Sequence, residues 1–592
     1  SGLLRDIFFL LTVLAAGVFF YLFIKKGDTV SFSLAGLNLQ WGITAFGWYF
    51  SLIVLGLSTL AAFYALAYMR GKERLGYFYF NFLVSILSML GILMSRDLVS
   101  FFVFWEIMTW SSYFIVIYNG KNVQRNGINY IIFSTIGAYA MLTAIVLVYT
   151  NIHSLAIGDM ITSYPQFTPV LQIFVPILFL IAFSVKAAMM PLHVWAPDAY
   201  SNSPMAYSSV FSGALSKMGI YGMIIVFVTM ISYLPDSTWF KEIFAWLGAI
   251  TAIMGTLWAV SQDDARKLLA YSSIAQLGYI ITGVAIGTEL AMLSALFLAV
   301  LHGLFKGTLF MAVGAVERQT GTVNFTEVTG LIRKMPWTFI ASLLAIIALA
   351  GIPPLGGFVG KWMLYESLIN SNHYILVIAI FFASTAAFLY CYKFLFGFFL
   401  GQEEKEWEHV KEAPALMVVP MMILAIGTVV LGTFPGIILK PADIAMQSLG
   451  YAPTEGHLWS MSVLFNEWGD QVLLKPLVYA IAGIFLFFLI LLTVKGWKTM
   501  RYVTTKDISS SGEVPLEDEN LTFSINFFQP FLRAAGPVMK KRMITYYREF
   551  GKAIDILFDF TRRIYNGNGQ TYAIYVMIFL VILLLLKNNL FG

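Results

Sequence analysis

The sequence predicts an all-α polytopic membrane protein of about fifteen transmembrane helices. Three observations predict it. Charged residues make up only 12% of the chain, where a soluble globular protein carries about 25%. Apolar runs of about 20 residues, enough to cross a bilayer, recur along its length. Basic residues gather in alternate loops, as they do on the cytoplasmic side of membrane proteins. Aromatic residues reach 16%, with 52 Phe, 30 Tyr and 14 Trp, as expected where many helix ends need interfacial anchors.

Composition also excludes several functions. The single cysteine, Cys391, leaves no disulfide framework and no cysteine-based zinc or iron–sulfur site. No nucleotide fingerprint is present, so the chain is expected to carry no cofactor and no active site of its own; redox groups would sit on partner chains. A net charge of +5 spread over many short loops argues against nucleic acid, which needs clustered cations.

Spans are expected near 3–24, 44–69, 76–95, 97–118, 128–150, 168–190, 203–232, 242–261, 266–286, 289–316, 337–371 (interrupted), 374–400, 414–435, 476–496 and 571–588. The first run is long enough to span and shows no small-residue cleavage site after it, unlike a signal peptide. The basic loops hold Arg70/Lys72/Arg74, Lys121/Arg125, Arg266/Lys267, Arg318/Arg333/Lys334, Lys405/Lys411 and Lys495/Lys498/Arg501. With these spans they all fall on one side; Lys25, Lys26 and Lys241 are the exceptions. The N-terminus is therefore expected in the cytoplasm and the C-terminus outside, in a cell (inner or plasma) membrane.

Charge inside a span costs about 2.5–3.5 kcal/mol on insertion scales, so it points to a bundle interior or a hydrated path. Glu106 interrupts FFVFWEIMTW, Lys186 lies in IAFSVKAAMMP, Lys217 in SGALSKMGIYG, His302 and Lys306 in VLHGLFKGTLF, Lys361 in GGFVGKWMLYE and Lys393 in LYCYKFLFG. The plainer reading is a helix-end residue snorkelling to the interface, and it stays open above all for Lys393. His302 alone would be a packed core histidine. With Lys306 one turn later on the same face, it reads as part of a polar file. Asp263, Asp264 and Glu289, near the ends of the path, could offer hard oxygen ligands to an ion, or be simple solvated loop acids.

Two of these lysines adjoin helix breakers. Lys186 precedes Pro191, and Lys361 follows GIPPLGGFVG, whose two prolines and four glycines cannot continue a regular helix. Broken helices expose carbonyls and helix ends at membrane depth, where they line a cavity or are covered by protein. The breaks also mark a repeat. Residues 76–232 and 242–400 each hold five helices, with the broken, lysine-bearing one fourth. Five is odd, so the second set starts from the opposite side, giving two inverted repeats.

These stretches carry a family resemblance. FFVFWE ending at Glu106, VKAAMMPLHVWAPDAY (185–200), SKMGIYG around Lys217, QDDARKLLAYSSIAQLGY (262–279), LHGLFKGTLF (301–310) and GIPPLGGFVGK (351–361) resemble the antiporter-like subunits of complex I, membrane-bound hydrogenase-type complexes and multi-subunit cation/proton antiporters. The resemblance implies that Glu106 pairs with Lys186, that a proton passes to Lys217 and on to His302/Lys306, and that Lys361 marks the exit of a hydrophilic axis. Lysine at this last position looks like the distal subunit's version. Burial agrees: an ion pair keeps a buried lysine charged, and opening the pair favours loss of its proton. Many members carry an additional helix before the first one counted here, a difference that does not touch the ion-path residues.

After 476–496 comes a polar linker (497–525), VTTKDISSSGEVPLEDEN at its centre. Then Tyr547, Phe550, Ile554, Leu557, Phe560 and Ile564 recur every three or four residues, while Arg548, Lys552, Asp555, Asp559, Arg562 and Arg563 fall mainly elsewhere. An amphipathic helix over 526–566, bent near Gly536–Pro537, is expected to lie along the membrane face. It is either an interfacial anchor or, by resemblance to the distal complex I subunit, a lateral helix laid across neighbours. At 1.5 Å per residue it would reach roughly 60 Å.

The expected domains are thus N-terminal helices (1–75), two five-helix repeats (76–232, 242–400), additional helices (414–496), the linker (497–525), the amphipathic helix (526–566) and a final span (571–592). The expected role is an ion-translocating subunit, moving protons or exchanging them for sodium, within a larger energy-converting complex. Its partners would be lipid, other membrane subunits including neighbouring antiporter-like ones, and, through them, a peripheral redox module. The rivals are an autonomous secondary transporter and a structural membrane anchor. The first should offer a solute pocket in place of a line of titratable groups, and the second needs no buried lysines.

Overall fold

A computed structural model describes residues 2–24, 27–34, 37–119, 121–353, 355–400, 405–453 and 543–564, with scattered further positions between 483 and 578. The chain falls into two compact units, 1–532 and 533–592. The expected spans 476–496 and 571–588 and the linker lie almost wholly outside the described residues.

In the first unit α1 (Gly2–Phe23) leads into β1 (Thr29–Leu34) and β2 (Leu37–Gly42). These form an antiparallel hairpin with Thr29 opposite Gly42 and Leu34 opposite Leu37. This corrects the all-α expectation. In TVSFSL, apolar and polar residues alternate with a period of two, which is a strand pattern. Asp97 staples the hairpin to the bundle, accepting from the Gln40 amide (2.8 Å) and capping the next helix through the Ser100 amide (2.7 Å).

Then come α2 (Ala45–Tyr68), α3 (Leu75–Met94), α4 (Leu98–Val116), α5 (Lys121–Ile152), the short α6 (Ile157–Ser163), α7 (Pro169–Lys186), α8 (Ala196–Asn202), α9 (Met205–Val210), α10 (Ser216–Thr229), α11 (Thr238–Val260), α12 (Ala265–Ile286) and α13 (Glu289–Thr320). A π-turn over Phe211–Leu215 joins α9 to α10 in one span. The interrupted helix is a pair, α14 (Pro336–Ala350) and α15 (Gly356–Asn370), followed by α16 (Tyr374–Leu395), α17 (Ala415–Thr433) and α18 (Gly436–Gln447). Among the described residues twelve helices are long and apolar enough to cross a membrane, so the chain is a multi-pass membrane protein. α18 is too short to register as a span, and the sequence reading passed over it.

Burial sorts the helices into a centre and a rim. α12 is buried all round, and α13 and the α9–α10 span nearly so, whereas α1 and α16 keep much of their surface open. A helix apolar on every side belongs inside a bundle or against lipid. Here the central helices carry Lys217, His302 and Lys306. Contacts also sort the loops. Arg266 pairs with Glu317, Lys334 reaches the Glu408 carbonyl, Arg318 the Tyr68 carbonyl and Asn119 the Asn202 carbonyl. The described basic loops therefore gather at one end of the bundle. The hairpin and the loops at 96–98 and 155–157 meet at the other.

The second unit contains α19 (Met543–Ile564), within the expected amphipathic segment. Its exposed Phe550 and Ile556 lie on a helix whose apolar residues recur at helical spacing.

Candidate ion path

Lys186 is the last residue of α7. Beyond it Ala188 takes a left-handed conformation (φ 49°) and the Met190–Pro191 peptide is cis. The helix stops in the protein interior. Close approach of α10 makes this compact: a Cβ on Gly219 would stand 2.6 Å from the Ala187 nitrogen and the Phe183 carbonyl. The Trp195 indole donates to the Val185 carbonyl at 2.9 Å.

Lys186, Lys217, Lys306 and Lys361 are 1%, 0%, 0% and 3% exposed, so snorkelling is excluded for all four. Oxygen atoms surround each ammonium. Lys186 Nζ donates to Tyr130 Oη (2.8 Å) and lies 3.4 Å from Ser134 Oγ. Tyr130 is also hydrogen-bonded to Ser112 Oγ on α4. Lys217 Nζ donates to the Ser212 carbonyl within the π-turn (3.0 Å) and is in direct contact with His302 Nδ1. Lys306 Nζ donates to Ser272 Oγ (2.5 Å) and the Leu269 carbonyl (3.2 Å). Ser273, beside Ser272, accepts from Ser212 Oγ at 2.8 Å. Lys217, His302 and Lys306 thus join in one polar cluster through α10, α12 and α13.

Lys361 sits in α15 just past the break. It donates to the Leu349 and Ala350 carbonyls (2.9 and 3.1 Å) and to Ser384 Oγ on α16 (2.9 Å), with the Tyr279 ring 5.2 Å away. The break is sharp enough that a Cβ on Gly357 would fall 1.7 Å from the Ala348 carbonyl oxygen. Around Lys306 and Lys361 lie Gln276, Tyr279, Tyr390 and Cys391, all buried. Gln276 Nε2, Tyr279 Oη and Tyr390 Oη have no protein partner among the described residues. Buried polar atoms of this kind are ordinarily satisfied by water.

Several expectations meet a different arrangement. Among the described residues Glu106 and Lys186 form no ion pair. Glu106 is half-buried on the α4 face turned toward α3, beside a cleft of about 380 Å³ lined by Phe80, Val103, Ile107, Trp110 and Phe114. Its Oε1 is buried without a hydrogen-bond partner there, while Lys186 turns to α5. Lys393 is buried at the basic-loop end of α16, paired with Asp263 (2.8 Å) and donating to the Val260 carbonyl. Asp264 caps α12 and pairs with Arg266. Glu289 opens α13 at the other end. The three acids are not brought together, and no group of metal-ligating residues occurs among the described residues.

Sequence reasoning passed over Tyr130, Ser134, Ser212, Ser272 and Ser384. Tyr130 and Ser134 stand one turn apart on α5, a spacing that marks one face, but hydroxyl residues are too common in such helices to single out. It also passed over His193, buried and stacked on Trp258 with ring centroids 5.2 Å apart.

A family model described as "NADH:quinone oxidoreductase/Mrp antiporter, TM" matches residues 95–387. A chain in the solved structure of the membrane-bound sulfane sulfur reductase, an archaeal respiratory membrane complex, is 32% identical, with 97% of this chain and 99% of that chain covered and a TM-score of 0.80. The chain belongs to the NADH:quinone oxidoreductase/Mrp antiporter transmembrane family. Two further relatives are similar to it. One Na(+)/H(+) antiporter subunit of Alkalihalophilus pseudofirmus is 29% identical over 516 residues, covering 80% of this chain. This chain spans only 62% of that relative's length. The NADH-quinone oxidoreductase subunit N of Desulforudis audaxviator is 29% identical over 433 residues, 69% of this chain and 85% of that one. The stretch matched by the antiporter family contains Glu106, Lys186, Lys217, His302, Lys306 and Lys361, and stops short of Lys393.

Proposed function

We propose that this chain is a proton-translocating subunit, with sodium/proton exchange as the variant reading, of a multi-subunit energy-converting membrane complex in the plasma membrane. One observation carries the proposal: four buried lysines, Lys186 held by hydroxyl oxygens and Lys217, Lys306 and Lys361 by carbonyl and hydroxyl oxygens together. Carbonyls stabilise the ammonium form. Hydroxyls both accept and donate, so they can hand a proton on. The path runs from Glu106 and Lys186 through Lys217, His302 and Lys306 to Lys361, with water bridging the gaps. Lys393 with Asp263 would serve its basic-loop end.

Glu106 and Lys186 act as a switch in this reading. Tyr130 and Ser112 link their helices, and a paired Glu106 would favour the charged lysine. Further support comes from relatives described as antiporter subunits and from membership of solved neighbours in respiratory complexes. The same reading takes the fold as two inverted five-helix repeats, about fifteen spans, a cytoplasmic N-terminus, and a lateral helix over 526–566 that docks on neighbouring membrane subunits. A solute carrier is the weaker alternative, since the polar groups form a file and not a pocket.

The test is to purify the complex with its co-purifying chains, seal it in vesicles and follow proton flux with a pH-sensitive dye. Lys186→Ala and Glu106→Ala should each abolish coupled flux while leaving assembly and any partner's electron transfer intact. Normal flux in either variant rules out the switch; a wild-type complex that moves no protons rules out the function.

A further inference from the structure

We infer that His373, clasped to Glu242 at the end of the bundle away from the basic loops, is the outlet group that passes protons between Lys361 and water. This rests on the proton-translocation reading. His373 caps the start of α16, the helix whose Ser384 holds Lys361. Its Nε2 lies 2.6 Å from Glu242 Oε1 at the start of α11, with the two side chains 25% and 39% exposed. Its other nitrogen, Nδ1, is buried and has no protein partner among the described residues. One ring nitrogen thus meets a carboxylate at the surface and the other faces inward. An imidazole can take a proton on one nitrogen and release one from the other.

The way from Lys361 is short and polar. Tyr365 is one turn beyond Lys361 on the same face of α15, within reach of Ser384. Glu366 follows it, half-buried. By helix rise, His373 lies roughly 15 Å from Lys361 along the bundle, so Tyr365 and Glu366 fall about midway. The titratable groups on the elements packed around His373 are Glu242 and Lys241 on α11 and Glu366 on α15. In the proposed step a proton arrives at Nδ1 and the Nε2 proton leaves through the Glu242 carboxylate to water. No other bond changes.

At the other end of α16 lies a second clasp, Lys393 with Asp263 in the loop that follows α11. Lys361, held by Ser384 in the middle of α16, thus lies between the two ends of that helix, one carrying each clasp.

The test uses the intact complex in sealed vesicles, with proton movement driven by an imposed membrane potential. His373→Ala should slow flux by about a hundredfold, the usual contribution of a positioned proton-transfer group. Imidazole added on the face opposite the basic loops should restore it, and imidazole on the basic-loop face should not. His373→Gln keeps a hydrogen bond to Glu242 but cannot titrate, and it should be equally slow. Normal flux in His373→Gln, or a loss in His373→Ala that imidazole does not repair, would overturn the inference while leaving the path to Lys361 standing. A wild-type complex without proton flux would overturn both.

Discussion

Lys186 is held by Tyr130: the ammonium lies 2.8 Å from the hydroxyl at the broken end of α7. That contact, and not an ion pair with Glu106, fixes the lysine in this conformation. A hydrogen bond to a charged group contributes about 1.5–3 kcal/mol. Tyr130→Phe should therefore slow proton flux roughly tenfold without changing assembly, since the ring and its packing remain. Flux equal to wild type would make the hydroxyl a bystander.

Gly357 is the tightest point of the second break. A methyl there would fall 1.7 Å from a main-chain oxygen, which cannot swing away as a side chain can. Gly357→Ala should displace α15 and Lys361 and remove nearly all flux. Gly56→Ala, where a Cβ meets nothing within 4 Å, should be neutral or gain up to about 1 kcal/mol of helix stability. Equal flux in the two variants would contradict the role given to the break.

Among the described residues, two of the three acids that could receive sodium near the ends of the path are already paired. Asp263 is engaged by Lys393 and Asp264 by Arg266. In vesicles containing a protonophore, sodium uptake should fall to background. Uptake that survives the collapse of the proton gradient would favour sodium as the transported ion.

For α19 the stripe of apolar residues makes a different prediction. Deleting the chain from residue 521 onward should release partner subunits or weaken assembly, because a clamp across neighbours would be lost. The remaining bundle should stay folded. A truncated chain that assembles and pumps normally would reduce the segment to an interfacial anchor.

Charge was the most legible signal in the sequence. Lys186, Lys217, Lys306 and Lys361 stand out because a charged group in an apolar run is expensive, and each proves buried. The breaks were legible too, since Pro191 and the Gly351–Lys361 stretch cannot be regular helix. Partners were not. Which way Glu106 faces depends on the packing of α3, α4 and α5 together, and helical spacing within α4 alone does not fix it. The β1–β2 hairpin escaped because six alternating residues are a weak signal beside long apolar runs. His373 and Glu242 escaped because they are far apart in sequence and near the surface, where charged residues draw no notice.

Lys217, Lys306, Lys361 and Lys393 all donate to main-chain carbonyls, those of Ser212, Leu269, Leu349 with Ala350, and Val260. An oxygen of this kind is supplied by whatever amino acid occupies the position. Mutation can therefore exchange the side chains at 269, 349, 350 or 260 for others of similar size without erasing the lysine's partner, provided the local chain trace is kept. A search for interchangeable or invariant side chains would miss these ligands, and a designer transplanting the site would need to copy the backbone first.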